Sequence, residues 1–203
     1  MNIKEIYVLN RALDGKDIPF MPSFKDMNIS EIMIEAIKDG MINKGLLTNY
    51  QEFSIEGLKV TDRLRRYKEA KKHIKLNRML MGLESETQSV VIFWNPIFKE
   101  YSISVIKTAM GAEQIAENYN FLTDDIKDES DYSETLEYDE FAKKFTLDYK
   151  ANFRLTSQFA NTKKDEVFLK ADGKLYVYDC LEQVLHSTSR KNIVNILKER
   201  MSL

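Results

Sequence analysis

The sequence predicts an α+β fold in which two pseudo-symmetric α-β-β-β-α halves form one continuous, mainly antiparallel sheet with helices packed on it. One observation is a repeat, because the same order of helical and β-type segments occurs twice, with a period of about 75 residues. A second is a hairpin signal, since Asp172-Gly173 separates two apolar β-type segments and accepts the positive φ angles of a tight turn. Antiparallel strands with helices on one face are typical of α+β proteins.

A short helical segment, residues 1–57, is predicted to precede the first half. Asn2 and Glu5 have the spacing of a capping box, so the first helix is expected to begin there. Gly40 is placed to end the second helix, and Ser54 is placed to cap the third. The third helix is expected to continue into the first half.

Residues 58–122 are predicted to form the first half. Its expected elements are a helix over 60–75, strands over 77–83, 90–94 and 101–106, and a helix near 110–119. The continuous apolar run over 90–94 is typical of a strand that is covered on both faces or that exposes a hydrophobic surface. Asn95-Pro96 is expected to turn the chain after this strand.

Residues 137–203 are predicted to form the second half, after an acidic linker over 123–136. Its expected elements are a helix over 138–150, strands over 152–160, 166–171 and 175–180, and a final helix that is capped by Ser187, Thr188 or Ser189 and ends at Met201. Two separate three-stranded sheets would leave open edges and a thin core. We therefore expect both halves to share one sheet within a single domain, with the linker crossing between them.

The composition of the chain indicates its expected location and class. The chain has 203 residues, of which 43% are hydrophobic and 31% charged, as in soluble globular proteins. No apolar run approaches the roughly 20 residues that cross a bilayer, and the N-terminal residues lack the pattern of a signal peptide, so a cytoplasmic location is expected. Cys180 cannot form an internal disulfide, and its β-type surroundings predict a buried structural thiol.

The residues that carry common enzyme chemistry do not form recognisable motifs. The seven glycines make no phosphate-binding loop, and the two histidines, His73 and His186, belong to no cluster with metal-ligand spacing. No pair of carboxylates has a context that marks a general acid and base. The sequence therefore predicts a protein that is not an enzyme and has no catalytic residue, metal or cofactor.

Basic residues are concentrated in one region, which includes Arg63, Arg65, Arg66, Lys68, Lys71, Lys72, Lys75 and Arg78. One interpretation is the solvated face of a helix, with the acidic residues in a flexible linker. The alternative is a winged-helix-type transcription regulator whose cations contact DNA phosphates. Against the alternative, the region lacks a clear recognition helix rich in base-reading side chains.

Several short motifs occur in a fixed order along the chain. They are Ile6-Tyr7-Val8-Leu9 with Leu13, Ile18-Pro19-Phe20, Lys44-Gly45-Leu46-Leu47, residues 54–57, and Leu64-Arg65-Arg66-Tyr67. This order, together with the two similar halves, resembles EspG-like proteins, which are cytosolic chaperones of type VII (ESX) secretion systems. In length the chain is more similar to the EsaE-type chaperones of Gram-positive type VII systems.

The resemblance implies a protein that binds a secreted partner and performs no covalent chemistry. The expected partner is a helical-hairpin protein or the targeting region of a toxin from a type VII system, with the secretion ATPase as a possible second partner. Nucleic acid and stable membrane insertion are not expected. The alternative interpretation is an adaptor or immunity protein that binds a folded partner.

The candidate binding site is the turn between the second and third predicted strands of the first half, where EspG-like proteins project a substrate-contacting loop. Its residues are Trp94, Asn95, Pro96, Ile97 and Phe98. A few aromatic and apolar anchors generally dominate such interfaces. The competing interpretation is that Trp94 and Phe98 fill the core, since aromatic residues at strand ends are commonly buried.

Overall fold

The computed structural model confirms the α+β fold class. It describes residues 1–25, 27–108, 115, 117–119, 122, 132–145 and 152–202. The helices are α1 (Ile3–Leu13), α2 (Glu31–Asn43), α3 (Ile55–Glu69), α4 (Tyr138–Lys144) and α5 (Arg190–Met201). The strands are β1 (Lys72–Leu76), β2 (Met79–Leu83), β3 (Ser89–Asn95), β4 (Glu100–Ile106), β5 (Ser133–Thr135), β6 (Asn152–Phe159), β7 (Thr162–Ala171), β8 (Lys174–Asp179) and β9 (Val184–Thr188).

All nine described strands belong to one antiparallel sheet, in the order β4-β3-β2-β1-β6-β7-β8-β9-β5. The first strand of each half, β1 and β6, pair with each other at the centre, where Ile74 lies opposite Ser157. The remaining strands of each half then extend outward in the same order. This arrangement places a pseudo-two-fold axis between β1 and β6 and confirms the predicted continuous sheet.

Equivalent turns support the symmetry of the two halves. The β1–β2 and β6–β7 hairpins each have a two-residue turn, and the first turn residues, Asn77 and Ala160, both have a φ of 49°. Such positive φ angles match the twist of a tight hairpin. The predicted turn at Asp172-Gly173 is also confirmed, with φ angles of 51° and 76°.

Each half has one strand more than the sequence predicted. The helix expected over 60–75 ends at Glu69, and β1 (Lys72–Leu76) follows it. In the second half, the additional strand is β9 (Val184–Thr188), which occupies the region expected to cap the last helix. The predicted acidic linker also contains a strand, because β5 (Ser133–Thr135) pairs with β9 at the edge of the sheet.

Two predicted elements lie wholly or partly outside the described residues. Only 115, 117–119 and 122 are described around the helix expected near 110–119, and 115, 117 and 118 are helical. The helix expected over 138–150 ends earlier than predicted, because α4 ends at Lys144 and its C-cap Phe145 has extended backbone angles; residues 146–150 are not described.

The starts of α1 and α3 were predicted correctly, α5 starts at one of its three proposed caps, and the end predicted for α2 was wrong. Asn2 accepts from the backbone N–H groups of Lys4 and Glu5 in the expected capping box, and Ser54 and Ser189 cap α3 and α5. Gly40 does not end α2, which continues to Asn43. No helix among the described residues is long and apolar enough to cross a membrane.

The helices divide the core into three clusters. On one face of the sheet, here called the front face, α1–α3 pack over the first half around Leu80 and Ile92. On the same face α4 packs over the second half around Val167 and Tyr178. On the opposite, back face, α5 packs against a cluster that spans both halves. The centre of the front face therefore lies between two separate helical layers.

Candidate protein-binding loop

The predicted binding site is a four-residue loop between β3 and β4, here called the β3–β4 loop (residues 96–99). The loop joins the cross-strand pair formed by Asn95 and Glu100. The side-chain Oδ1 of Asn95 accepts hydrogen bonds from the backbone N–H groups of Ile97 (3.1 Å) and Phe98 (3.4 Å). Lys99 has a φ of 51°, which returns the chain to β4. This Asx-type turn fixes the backbone of the loop.

The tip of the β3–β4 loop presents two large apolar side chains to solvent. Ile97 is 83% exposed and Phe98 is 71% exposed. The interpretation in which Phe98 fills the core is therefore wrong. A loop that exposes adjacent apolar side chains on a fixed backbone can bury them against a partner without first ordering itself.

Of the other three predicted residues, Trp94 and Asn95 support the loop. Trp94 is half-buried, and its ring lies 4.5 Å from the ring of its cross-strand neighbour Tyr101, measured between centroids. Asn95 is half-buried and provides the turn, whereas Pro96 is exposed. Only Pro96, Ile97 and Phe98 of the predicted set are therefore well placed for broad contact with a partner.

The base of the loop is tied to the N-terminal helices. Lys44, which caps the C-terminus of α2, forms ion pairs with Glu100 at 2.9 Å and with the buried Glu5 at 3.1 Å. The hydrogen bond from Lys44 lowers the pKa of Glu100, and the bond to Glu100 raises the pKa of Lys44. Met1 also exchanges backbone hydrogen bonds with Tyr101 along the outer edge of β4. These contacts hold the first strand residues after the loop.

Sequence reasoning missed an equivalent loop in the second half. The β8–β9 loop (residues 180–183) joins the pair formed by Asp179 and Val184. The Oδ1 of Asp179 accepts from the backbone N–H groups of Leu181 (2.8 Å) and Glu182 (3.0 Å), and Gln183 has a φ of 56°. The signal in the sequence was an Asn or Asp at the end of a strand, separated from the next strand by four residues.

Most of the predicted basic cluster is engaged within the protein. Arg65 pairs with Asp62 and Glu69, and Arg66 forms a two-bond pair with Glu84. Three further members of the cluster are also engaged. Arg63 donates to the carbonyl oxygen of Ile103, Lys68 pairs with Asp14, and Lys72 donates to the carbonyl oxygens of Glu199 and Ser202. Cations used in this way are poorly available to DNA phosphates, so these contacts do not favour the winged-helix alternative.

The remaining candidate reactive groups have structural surroundings. Cys180 is half-buried in the β8–β9 loop, and burial raises the pKa of its thiol to about 11. His73 is buried, with its Nε2 2.7 Å from the carbonyl oxygen of Tyr67, and burial lowers its pKa. Within the described part of the chain, no group of three His, Cys, Asp or Glu side chains is placed to hold a metal ion.

These features define an α+β protein built from two sheet-sharing halves, one of which projects an apolar loop. The chain belongs to the family called Domain of unknown function (DUF5081), whose model matches residues 1–203. A search of curated proteins found no match.

Proposed function

We propose that the protein is a non-enzymatic chaperone that binds a helical type VII (ESX) secretion substrate, or the targeting region of a toxin, in the cytoplasm before export. The observation that carries this proposal is the exposure of Ile97 and Phe98 on the β3–β4 loop. Its position between β3 and β4 also corresponds to the loop that the resemblance to EspG-like chaperones implies for substrate contact.

The chemistry of the loop suits an apolar helical partner. Transfer of a Phe or Ile side chain from water into an interface contributes about 1.5–3 kcal/mol for complete burial. Such side chains can insert between residues that lie three or four positions apart on an amphipathic helix. The turn hydrogen bonds from Asn95 keep the loop in one conformation, so little conformational entropy is lost on binding.

A partner of this kind would be kept soluble because the loop covers an apolar surface that otherwise promotes association. Non-covalent binding of this kind requires no active site and no cofactor. The secretion ATPase, which the resemblance admits as a second partner, would contact a surface other than the loop while substrate is bound.

Affinity capture from the cytosol of the source cell tests the proposal. Tagged wild-type protein is compared with an Ile97→Ser, Phe98→Ser double variant, and captured proteins are identified by mass spectrometry. The matched control is Leu181→Ser, which changes the equivalent loop of the second half. We expect wild type and control to retain a helical secreted protein of a type VII system, and the double variant to lose it.

Two results would contradict the proposal. One is equal capture of the helical secreted protein by the double variant, which would place the contact elsewhere. The other is specific recovery of a folded, non-secreted partner, which would favour the adaptor or immunity alternative. Circular dichroism of each variant shows whether a lost interaction reflects the loop or a loss of folding.

A further inference from the structure

A cationic cleft lies at the centre of the front face, between the helical layer over the first half and α4 over the second. The cleft has a volume of about 350 Å³. Its lining residues are Phe20, Lys75, Asn77, Arg154, Thr156, Lys163 and Asp165. These residues come from the central strands β1, β6 and β7, from the β1–β2 turn, and from the α1–α2 connection.

The floor of the cleft is a row of polar side chains on neighbouring strands. Lys75 on β1 lies opposite Thr156 on β6, and Thr156 lies opposite Asp165 on β7. Directly opposed residues of this kind have Cβ atoms about 4.5–5.5 Å apart. Lys163 is two residues from Asp165 on the same strand and therefore on the same face.

One buried carboxylate organises this floor. The Nε and Nη2 atoms of Arg154 each donate to one oxygen of Asp165, both at 2.8 Å, and the Thr156 hydroxyl donates to the same carboxylate at 3.0 Å. Asp165 is 6% exposed. Burial raises the pKa of Asp165, but the hydrogen bonds and charge of Arg154, the hydrogen bond from Thr156 and the charge of Lys163 together lower it overall. The carboxylate therefore stays ionised and holds the guanidinium in place.

The cations of the cleft exceed its carboxylates. Asp165 balances Arg154, whereas Lys75 and Lys163 are exposed and have no hydrogen bond or ion pair among the described residues. The Nη1 of Arg154 likewise has no hydrogen bond in the described structure. The cleft thus carries a local charge of +2 in a chain whose net charge is −2. An anionic group in the cleft would relieve the repulsion among these cations.

We propose that this cleft binds a carboxylate-bearing segment of the partner protein, in addition to the apolar contact at the β3–β4 loop. The inference rests on the proposed chaperone function and deepens it by naming a second, electrostatic contact. Charge complementarity identifies the occupant as acidic. The floor extends from Arg154 on β6 to Lys163 on β7, whose register partner on β6 is Gln158. At about 3.3 Å per residue this is roughly 13 Å along the strands, which suits a peptide segment of several residues.

The cleft is tested by the binding of fluorescein-labelled hexaglutamate, measured by fluorescence anisotropy. A salt concentration of about 0.05 M is used, because charge screening is then weak. The test variant is Lys75→Gln, Lys163→Gln. The control is Lys4→Gln, Lys191→Gln, which removes two exposed lysines that likewise have no ion pair in the described structure, and so gives the same net charge. We expect the test variant to bind roughly fivefold more weakly than wild type, as for the loss of two surface ion pairs. The control variant should stay within about twofold, because its cleft is intact.

Equal weakening by the two lysine pairs would overturn the proposal, since binding would then reflect net charge alone. The proposal would also be overturned, in favour of a phosphate ligand, if inorganic phosphate displaced the peptide better than glutarate at equal ionic strength. Tighter binding of an oligo-dT strand than of hexaglutamate would have the same meaning. The Ile97→Ser, Phe98→Ser variant should bind hexaglutamate like wild type.

The cleft and the chaperone function can fail separately. If the Lys75→Gln, Lys163→Gln variant captures the secreted helical protein as strongly as wild type, the cleft is not part of that interface and the inference is wrong. The proposed function would then still stand on the β3–β4 loop. If the Ile97→Ser, Phe98→Ser variant captures the secreted protein as strongly as wild type, the function proposed for the loop fails, while the hexaglutamate result is unaffected.

Discussion

The β3–β4 and β8–β9 loops share one backbone design and differ in the side chains they expose. Both have four residues, an Asn or Asp that accepts two backbone hydrogen bonds, and a final residue with positive φ. The first loop exposes Ile97 and Phe98, whereas the second has Leu181, 49% exposed, followed by the acidic Glu182. The turn geometry is therefore a property of the repeated fold, and the apolar tip is particular to the first half.

The helical layers of the two halves differ in a similar way. α3 packs on the first half through four buried residues, Gly57, Val60, Leu64 and Tyr67, whereas α4 buries only Phe141 among its described residues. The Phe141 ring stacks on Tyr178 with centroids 4.1 Å apart. The first half thus has a layer anchored by several buried residues, whereas the described part of α4 has one buried anchor, Phe141, in contact with Tyr178.

The largest expected effect comes from removing that contact. Phe141→Ala should lower the free energy of unfolding by about 3–5 kcal/mol, because it leaves a cavity beside Tyr178. Urea unfolding measures the change, and hydrogen exchange should show loss of protection across α4. In the first half, Leu64→Ala should destabilise the protein while α3 keeps its protection. Equal loss of protection in both helices would show that the layers are not anchored differently.

The start of α3 is held more closely than the start of α4. A Cβ at Gly57 would lie 1.9 Å from the carbonyl oxygen of Leu46, so α3 would have to move. Gly57→Ala should therefore destabilise the protein by about 3 kcal/mol, at the upper end of overpacking effects. The corresponding third residue of α4 is the exposed Glu140. Glu140→Ala should leave the thermal midpoint nearly unchanged, and a drop similar to that of Gly57→Ala would contradict the comparison.

Each half also has an arginine held by two bonds to one carboxylate, at different burial. Asp165 is buried against Arg154, whereas Glu84 is half-buried against Arg66. Asp165→Asn should cost about 2 kcal/mol, as for loss of hydrogen bonds to a charged group. Glu84→Gln should cost about 0–1 kcal/mol, as at the surface. Urea unfolding of both variants at neutral pH measures the two costs. A larger cost for Glu84→Gln than for Asp165→Asn would contradict the expected order.

The lowered pKa of Asp165 gives this pair a pH dependence. Because the folded pKa is below the unfolded value of about 3.9, the stabilisation is present above that value and is lost as the pH falls through the folded pKa. Asp165→Asn should therefore lose less stability than wild type when unfolding is compared at neutral pH and at about pH 3. An identical acid dependence in both proteins would show that Asp165 does not contribute to it.

The smallest expected effects on stability are at the two loops. Ile97→Ser, Phe98→Ser and, separately, Leu181→Ser should change the free energy of unfolding by no more than about 0.5 kcal/mol, because these side chains are exposed. Chemical denaturation checks both. Destabilisation by more than about 1 kcal/mol in the first loop would mean that its apolar side chains support the fold instead of being available to a partner.

Much of the fold could be predicted from local chemistry. The capping box of Asn2, the caps at Ser54 and Ser189, and the turn at Asp172-Gly173 depend on neighbouring residues alone. β1 was missed because its sequence, Lys72–Leu76, continues the cationic and apolar pattern of α3. Its strand conformation comes from pairing with β2 and β6, and the latter is about 80 residues away in the chain.

The candidate loop was predicted in position but not in detail. Asn95-Pro96 indicated a turn, and the resemblance supplied its significance. Exposure of Phe98 could not be predicted, because whether a residue at a strand end is buried depends on the helices that cover it. The central cleft was also missed, since Lys75, Thr156 and Asp165 meet only through the pairing of β1, β6 and β7.

Site-specific photo-crosslinking in the source cell tests the central claim most directly. A p-benzoylphenylalanine replaces Phe98 in one protein and Glu182, its equivalent in the β8–β9 loop, in another. We predict that position 98 crosslinks to a helical secreted protein of a type VII system and that position 182 does not. Crosslinking of that protein from both positions equally, or from neither, would contradict the assignment of the β3–β4 loop as the binding site.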